Sequence, residues 1–276
     1  MYTSPAPQSA RSAVTVPMLL QMKRNRERIA TLTAYDASFA RAMDHAGIDA
    51  VLVGDSLGMV IKGGANTVSV SIDDMVYHSR CVAQGLQSAL LIADMPFQSY
   101  ATPERALDAA TALLSEGMAS MVKLEGAGFV LDAIAFLSER DIPVCAHLGL
   151  TPQSVLKLGG FKVQGRDEQA ALAIIEQAKQ VERAGAQLLV LECLPSSLAK
   201  SITETVGIPT IGIGAGPDCD GQILVSYDAL GINSGHRRPR FVKDFLAGNG
   251  SIDAAFAQYV RDVKSGEFPS LEHGYA

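Results

Sequence analysis

Ionisable side chains close one apolar run after another in this sequence. Tyr35 and Asp36, Asp55 and Ser56, Asp94, Lys123 and Glu125, His147, and Glu192 stand at or just past the ends of short stretches rich in Val, Ile, Leu and Ala. Any one of these alone is more often a loop charge or a helix cap than a catalyst, and Asp36 reads best as a cap. The recurrence of the pattern over six consecutive runs points instead to one shared site. Asp55 and Asp94 follow wholly apolar runs, so both carboxylates should enter the same mouth. Two such groups repel unless a cation joins them or one is protonated. Oxygen ligands select a hard ion, and magnesium commonly takes one or two carboxylates, several waters and the oxygens of a substrate. Glu125 can add a third oxygen, directly or through water; the competing reading is that both aspartates cap the helices that follow.

Glu192 follows Leu188 to Leu191 and precedes Cys193, Leu194 and Pro195. In such apolar company desolvation would raise its pKa towards the range useful for a general base, whereas a salt-bridged structural glutamate is the plainer alternative. Lys123 lies two residues before Glu125 and so shares its side of a strand. It either binds a substrate carboxylate or neutralises the acidic cluster. The run Gly212-Ile213-Gly214-Ala215-Gly216 closes a later strand, where glycines serve a tight turn or let a ligand approach the backbone. No G-x-G-x-x-G opens a helix after an early strand, which argues against a dinucleotide site.

Eight apolar runs must position these groups: residues 29–35, 50–55, 89–94, 120–125, 143–147, 188–192, 209–213 and 222–226. They alternate with segments of helical period, the pattern of repeated βα units around a parallel sheet. Eight units predict an α/β fold of the (β/α)8-barrel (TIM barrel) type, in which strand C-termini carry the chemistry. The clearest helices run from Thr102 to Glu116, with Thr102 as N-cap, Pro103 in the first turn and Gly117 as stop, and from Asp167 to Ala184 before Gly185. Residues 215–221 are too short for a full helix, so the seventh is expected to be missing or shortened, and a doubly wound open sheet is the alternative architecture. Pro17 to Arg28 reads as an extra N-terminal helix able to plug the barrel, and Ser251 to Lys264 as a terminal helix. Residues 1–15 are expected to be flexible, and the tail 265–276 to be mobile or to lie on a neighbouring subunit.

With 276 residues, 48% hydrophobic and 19% charged, the chain suits one barrel domain, 1–276, with ample core and too little charge for disorder. A formal charge of −6 argues against a nucleic-acid partner. The basic runs Lys23 to Arg28 and His236 to Arg240 are short and read as surface charge. Cys81, Cys145, Cys193 and Cys219 show no C-x-x-C spacing, so neither a disulfide framework nor a zinc site is indicated. No segment offers about 18 uninterrupted apolar residues, and a soluble cytoplasmic protein without membrane contact is expected.

Several blocks in one order resemble the ketopantoate hydroxymethyltransferase family: Leu32-Thr33-Ala34-Tyr35-Asp36, Val53-Gly54-Asp55-Ser56-Leu57-Gly58, Ala93-Asp94-Met95-Pro96-Phe97, Val122-Lys123-Leu124-Glu125-Gly126, the run from His147 to Gly165, and Ile211 to Gly216. The resemblance extends from about Met22 to the stretch around Phe245. It implies a barrel of the phosphoenolpyruvate/pyruvate-like superfamily that transfers a hydroxymethyl group from 5,10-methylenetetrahydrofolate to 3-methyl-2-oxobutanoate, giving 2-dehydropantoate for pantothenate and coenzyme A synthesis. It further implies Mg2+ on Asp55 and Asp94 with Glu125, contacts from Asp55, Ser56, Asp94 and Lys123 to the oxo acid, and His147 in the pocket. Glu192 becomes the proton acceptor, and the loop Thr151 to Arg166 helps cover the site. Members of the family assemble as homodecamers. The stretch Tyr227 to Arg240 keeps only part of the family pattern, which leaves the folate contacts there unassigned.

The nearest alternative is a carbon–carbon lyase or phosphonopyruvate-type mutase of the same superfamily. Those lyases resemble one another in a Lys-Lys-Cys-Gly-His segment, where this chain reads Val122-Lys123-Leu124-Glu125-Gly126. A catalytically silent, metabolite-binding barrel is a second alternative. The presence of Asp55, Asp94, Lys123 and Glu192 together speaks against it.

Overall fold

In the computed structural model, which describes residues 11–232 and 238–276, eight parallel strands close into a barrel in sequence order. Helix α1 (Val16–Asn25) precedes β1 (Ile29–Thr33), and α2 (Ala37–His45) leads to β2 (Ala50–Val53). Helices α3 (Leu57–Val60) and α4 (Ile72–Ala83) lead to β3 (Leu90–Asp94), α5 (Pro103–Ser115) to β4 (Met121–Glu125), and α6 (Val130–Ser138) to β5 (Val144–Gly149). A 3-10 turn (Pro152–Ser154), α7 (Val155–Leu158) and α8 (Glu168–Arg183) precede β6 (Leu188–Glu192), and α9 (Ser196–Thr205) precedes β7 (Thr210–Ile213). Strand β8 (Gly221–Leu224) follows with no helix between, and α10 (Ser226–Ala229) and α11 (Ile252–Ser265) complete the order. The short seventh connection therefore behaves as its length requires. Tyr259 of α11 packs over the β1–β8 pair, its hydroxyl lying 2.8 Å from the Thr31 carbonyl and 3.0 Å from that of Gln222.

Local sequence sets the helix ends. Thr102 accepts from the Arg105 amide, Asp167 from Ala170 and Ser251 from Ala254, each satisfying a donor left free by the first helical turn. Asp36 caps α2 through the amides of Ser38 and Phe39, as its sequence position suggested. Along the strands, alternate residues face opposite ways. Leu32, Val51, Leu91, Val122, Ala146 and Leu189 join the core beneath the helices. Ile29, Leu52, Ile92, Met121, Cys145, Val190, Ile211 and Ile223 fill the barrel interior. Leu19 of α1 belongs to that interior group, so the N-terminal helix closes the barrel floor. Lys23 fixes it there through Asp220 at 2.8 Å and the Thr203 carbonyl at 2.9 Å.

Two segments depart from their sequence reading. The loose start was expected to run through residue 15, yet Val14 is buried and its amide donates to the Ser88 carbonyl at 2.7 Å, while Arg11 donates to the carbonyls of Gly47 and Ile48. The tail lies on the mouth of its own barrel: Tyr275 bridges to Pro195, and the Ser196 amide donates to the Tyr275 carbonyl at 2.9 Å. A single aromatic, Phe268, anchors the tail in the core against Phe245 and Tyr259, and the residues beyond dock by backbone bonds, which leaves no periodicity. The basic run beginning at His236 falls partly outside the described residues. Among the described residues no helix is long and apolar enough to cross a membrane.

Candidate active site

The inward parity that buries Leu90 and Ile92 continues to Asp94, and that of Met121 continues to Lys123 and Glu125. Cys145 is followed on the same face by His147, and Leu188 and Val190 by Glu192. The polar layer is thus the top of an apolar column. Strand register decides who meets whom: Asp94 aligns with Lys123 and Glu125 with His147. Lys123 Nζ is ion-paired with Asp94 Oδ1, both almost fully buried. Asp55 lies just beyond β2, buried, and its amide donates to Asp94 Oδ2 at 3.0 Å. Gly54 permits this turn, since a Cβ there would stand 2.7 Å from Ser56 Oγ. Ser56 itself bonds the Tyr35 hydroxyl at 2.9 Å.

His147 lies between two acids. Its Nδ1 is 3.4 Å from Glu125 Oε1 and its Nε2 is 3.3 Å from Glu192 Oε2. Neither nitrogen has a well-directed hydrogen bond, so the contact is chiefly ionic. The Glu192 backbone is held on both sides: its carbonyl accepts from Leu150 at 2.9 Å, and the next amide, Cys193, donates to Ile213 at 2.9 Å. Strand β5 can cross this close only at glycine, because a Cβ on Gly149 (φ +97°) would sit 2.2 Å from the Glu192 carbonyl oxygen. Glu192 is therefore not simply in apolar company, as its sequence neighbours suggested. Of those neighbours Leu188 and Val190 lie below it on the inward face, Leu189 and Leu191 turn outward, and the charge facing the carboxylate is that of His147.

Four carboxylates, Asp55, Asp94, Glu125 and Glu192, gather around two bases, Lys123 and His147. Burial raises Asp55 well above the usual carboxylate range, and the charges of Asp94 and Glu125 add to the effect. Lys123 loses solvation, but Asp94, Glu125 and Asp55 more than restore its charge, and its pKa lies above the ordinary value. Burial also opposes ionisation of Glu125, yet His147, Lys123 and the Gln153 amide hold it below its ordinary value. Burial and Lys123 depress His147, and its two flanking carboxylates overcome both, raising it to about 9.

That shift has a stability consequence. An imidazole whose folded pKa exceeds its unfolded value of about 6.5 stabilises the fold fully below that value and loses the contribution as pH rises through the folded pKa. The metal-free protein should lose thermal stability between about pH 6.5 and 9, the window set by the unfolded reference and the folded value. Calorimetric unfolding across this range, with and without His147→Gln, checks it. An equal decline in the variant would contradict the assignment.

All seven residues singled out for substrate, metal or proton transfer reach this mouth: Asp55, Ser56, Asp94, Lys123, Glu125, His147 and Glu192. The glycine run after β7 serves packing, since a Cβ on Gly214 would meet Phe241 at 2.8 Å and one on Gly216 would meet Ser196 Oγ at 2.3 Å. Sequence reasoning missed Gln153 and Tyr100. The Gln153 side chain donates to Asp55 Oδ2 at 2.9 Å, and its backbone amide donates to Glu125 Oε2 at 3.0 Å. Tyr100 donates to Gln153 Oε1 at 2.6 Å. Gln153 falls within the quoted run from His147 to Gly165, which was the available signal; neither residue ends a strand. Asp55 and Asp94 offer only oxygen donors in a cluster with excess negative charge, a setting that fits a hard divalent cation. Among the described residues no three His, Cys, Asp or Glu side chains converge to enclose a metal on their own.

The sequence model of the family described as ketopantoate hydroxymethyltransferase matches residues 13–271. A 3-methyl-2-oxobutanoate hydroxymethyltransferase from Stenotrophomonas maltophilia (strain R551-3) is 59% identical over 262 residues, covering 95% of this chain and 96% of the relative. One of the same name from Shewanella loihica (strain ATCC BAA-1088 / PV-4) is 58% identical, covering 96% of this chain and all of the relative. In fold, the chain is similar to 2,3-dimethylmalate lyase, a member of the PEP mutase/isocitrate lyase superfamily, with a TM-score of 0.59 and 18% identity over 80% of this chain and 84% of that one. The lyase alternative thus shares the barrel, while the close sequence relatives are hydroxymethyltransferases. On the barrel strands, burial pushes the Cys145 thiol up to about 12. By a match over nearly its whole length and relatives close to 60% identity, the chain belongs to the ketopantoate hydroxymethyltransferase family.

Proposed function

We propose that this enzyme makes the enolate of 3-methyl-2-oxobutanoate at the barrel mouth, with Glu192 as base, and adds it to the one-carbon unit of 5,10-methylenetetrahydrofolate to give 2-dehydropantoate. The observation that carries the reading is the division of the buried polar layer into an acidic pole at Asp55 and Asp94 and a separate, half-buried carboxylate at Glu192. Magnesium fits the first pole, where Asp55 and Asp94 would hold it with Glu125, directly or through water. Bound there, it supplies positive charge that stabilises the developing enolate.

The chain's own residues supply the rest. Lys123, kept protonated by three acids, neutralises Asp94 and offers its remaining N–H donors to the carboxylate of the oxo acid. Ser56, oriented by the Tyr35 hydroxyl, is placed to donate to the same substrate. Glu192 takes the C3 proton, and the imidazolium of His147 holds the Glu192 carboxylate towards the substrate while Glu125 steadies its other ring edge. Water releases the one-carbon unit of the folate as formaldehyde, tetrahydrofolate departing, and C3 bonds to that carbon while the new alkoxide takes back the proton held by Glu192. The loop after β5 is tied beside Glu192, its Gln164 amide donating to the Cys193 carbonyl at 3.0 Å, and covers that side of the mouth. By family resemblance the working form is a cytoplasmic homodecamer. A coupled assay of 2-dehydropantoate formation with Mg2+ and the folate tests the reading; folded protein that gives no turnover would reject it.

A further inference from the structure

Gln153 joins the two acids that the barrel register keeps apart. It sits on the 3-10 turn after β5, far in sequence from Asp55, and is only 6% exposed. Its amide orientation follows from its partners. A carbonyl only accepts, so the atom 2.9 Å from the Met95 carbonyl must be Nε2, which also donates to Asp55 Oδ2 at 2.9 Å. Oε1 then faces Tyr100, whose hydroxyl accepts from the Glu125 amide at 3.3 Å and so directs its own proton to Oε1 at 2.6 Å. The backbone amide of Gln153 takes Glu125 Oε2 at 3.0 Å. Every hydrogen-bonding group of the side chain is thereby committed.

The consequence falls on Asp55. One of its oxygens is claimed by a neutral donor, so the carboxylate cannot rotate freely, and Oδ1 is the oxygen left to face an incoming cation. A neutral amide performs this without adding charge to a pole that already repels itself. Had Gln153 served only to anchor the loop, the bond to the Met95 carbonyl would suffice. Tyr100 would not need to be tied into the Glu125 backbone as well.

We propose that Gln153, held by Tyr100, is a positioning residue for the cation site, fixing which oxygen of Asp55 is presented and coupling cation affinity to docking of the loop 151–166. This inference rests on the assignment of the metal to Asp55 and Asp94. Groups that orient metal ligands typically change affinity by about 10–100-fold when removed.

The test is calorimetric titration of Mg2+ into the full-length protein with saturating 3-methyl-2-oxobutanoate, for the unsubstituted chain, Gln153→Leu, Tyr100→Phe and Asp55→Asn, together with kcat as a function of Mg2+ concentration. Gln153→Leu should weaken Mg2+ binding by about tenfold or more, and Tyr100→Phe by a smaller factor in the same direction. In both, kcat should recover at saturating Mg2+, which a merely structural defect would not allow. Should Gln153→Leu fail to fold, Tyr100→Phe decides alone. Asp55→Asn that binds Mg2+ as well as the unsubstituted chain rejects the metal assignment and this inference with it. If Asp55→Asn loses binding while the Gln153 and Tyr100 variants bind within twofold of the unsubstituted chain, or show a low kcat that Mg2+ does not restore, the positioning role alone is overturned.

Discussion

Glu192→Gln should lower kcat for hydroxymethyl transfer by about 10^3-fold, within the range of about 10^2 to 10^4 that a positioned general base contributes. The substitution preserves shape and the backbone ties of β6 to Leu150 and Ile213, so the mouth should remain built. What disappears is the one carboxylate of the layer that is only partly buried and is paired with His147 rather than Lys123. Since the proton is moved only in the transition state, kcat and kcat/KM should fall together while the KM for the oxo acid changes by no more than a few fold. A steady-state comparison of the two proteins at saturating Mg2+ checks this. A variant retaining more than a tenth of the activity would assign the base elsewhere.

Asp55→Asn should separate stability from function in opposite directions. Burial and two neighbouring acids raise the folded pKa of Asp55, so ionising it at neutral pH costs the folded state free energy that the unfolded chain does not lose. A carboxylate with this sign of shift destabilises the fold increasingly as pH rises above its unfolded value near 3.9. Asparagine removes the charge and retains an oxygen for the Gln153 donor. The metal-free variant should therefore unfold at higher temperature, on the order of 2–4 °C for each kcal/mol relieved. The same change should abolish Mg2+-dependent binding of 3-methyl-2-oxobutanoate. Thermal unfolding with chelator and titration with Mg2+ and the oxo acid measure the two effects. A less stable variant would contradict the charge account, and undiminished Mg2+-dependent binding would contradict the metal assignment.

The barrel was readable because its evidence is periodic. Alternating βα units gave all eight strands, and Thr102 marked a helix start by capping chemistry that is local. The site was readable to the extent that strand ends define it: position alone brought Asp94, Lys123, Glu125, His147 and Glu192 to one layer. Pairing within that layer was not readable. Whether Lys123 meets Asp94 or a substrate, and whether Glu192 faces apolar walls or His147, depends on barrel register and on where a following loop turns, which the spacing of apolar residues does not encode. Gln153 and Tyr100 escaped for a related reason. They are loop residues whose partners lie on other strands, and a neutral amide leaves no charge pattern to follow. The tail showed no period because one aromatic, Phe268, enters the core and Tyr275 beyond it docks through its backbone.

Exchange of the C3 proton of 3-methyl-2-oxobutanoate in deuterium oxide, followed by NMR with Mg2+ and without folate, isolates the step on which the proposal turns. Mg2+-dependent loss of that proton signal is expected with the unsubstituted enzyme, and none above background with Glu192→Gln. Exchange that proceeds equally without a divalent ion, or that survives in Glu192→Gln, would contradict the proposal.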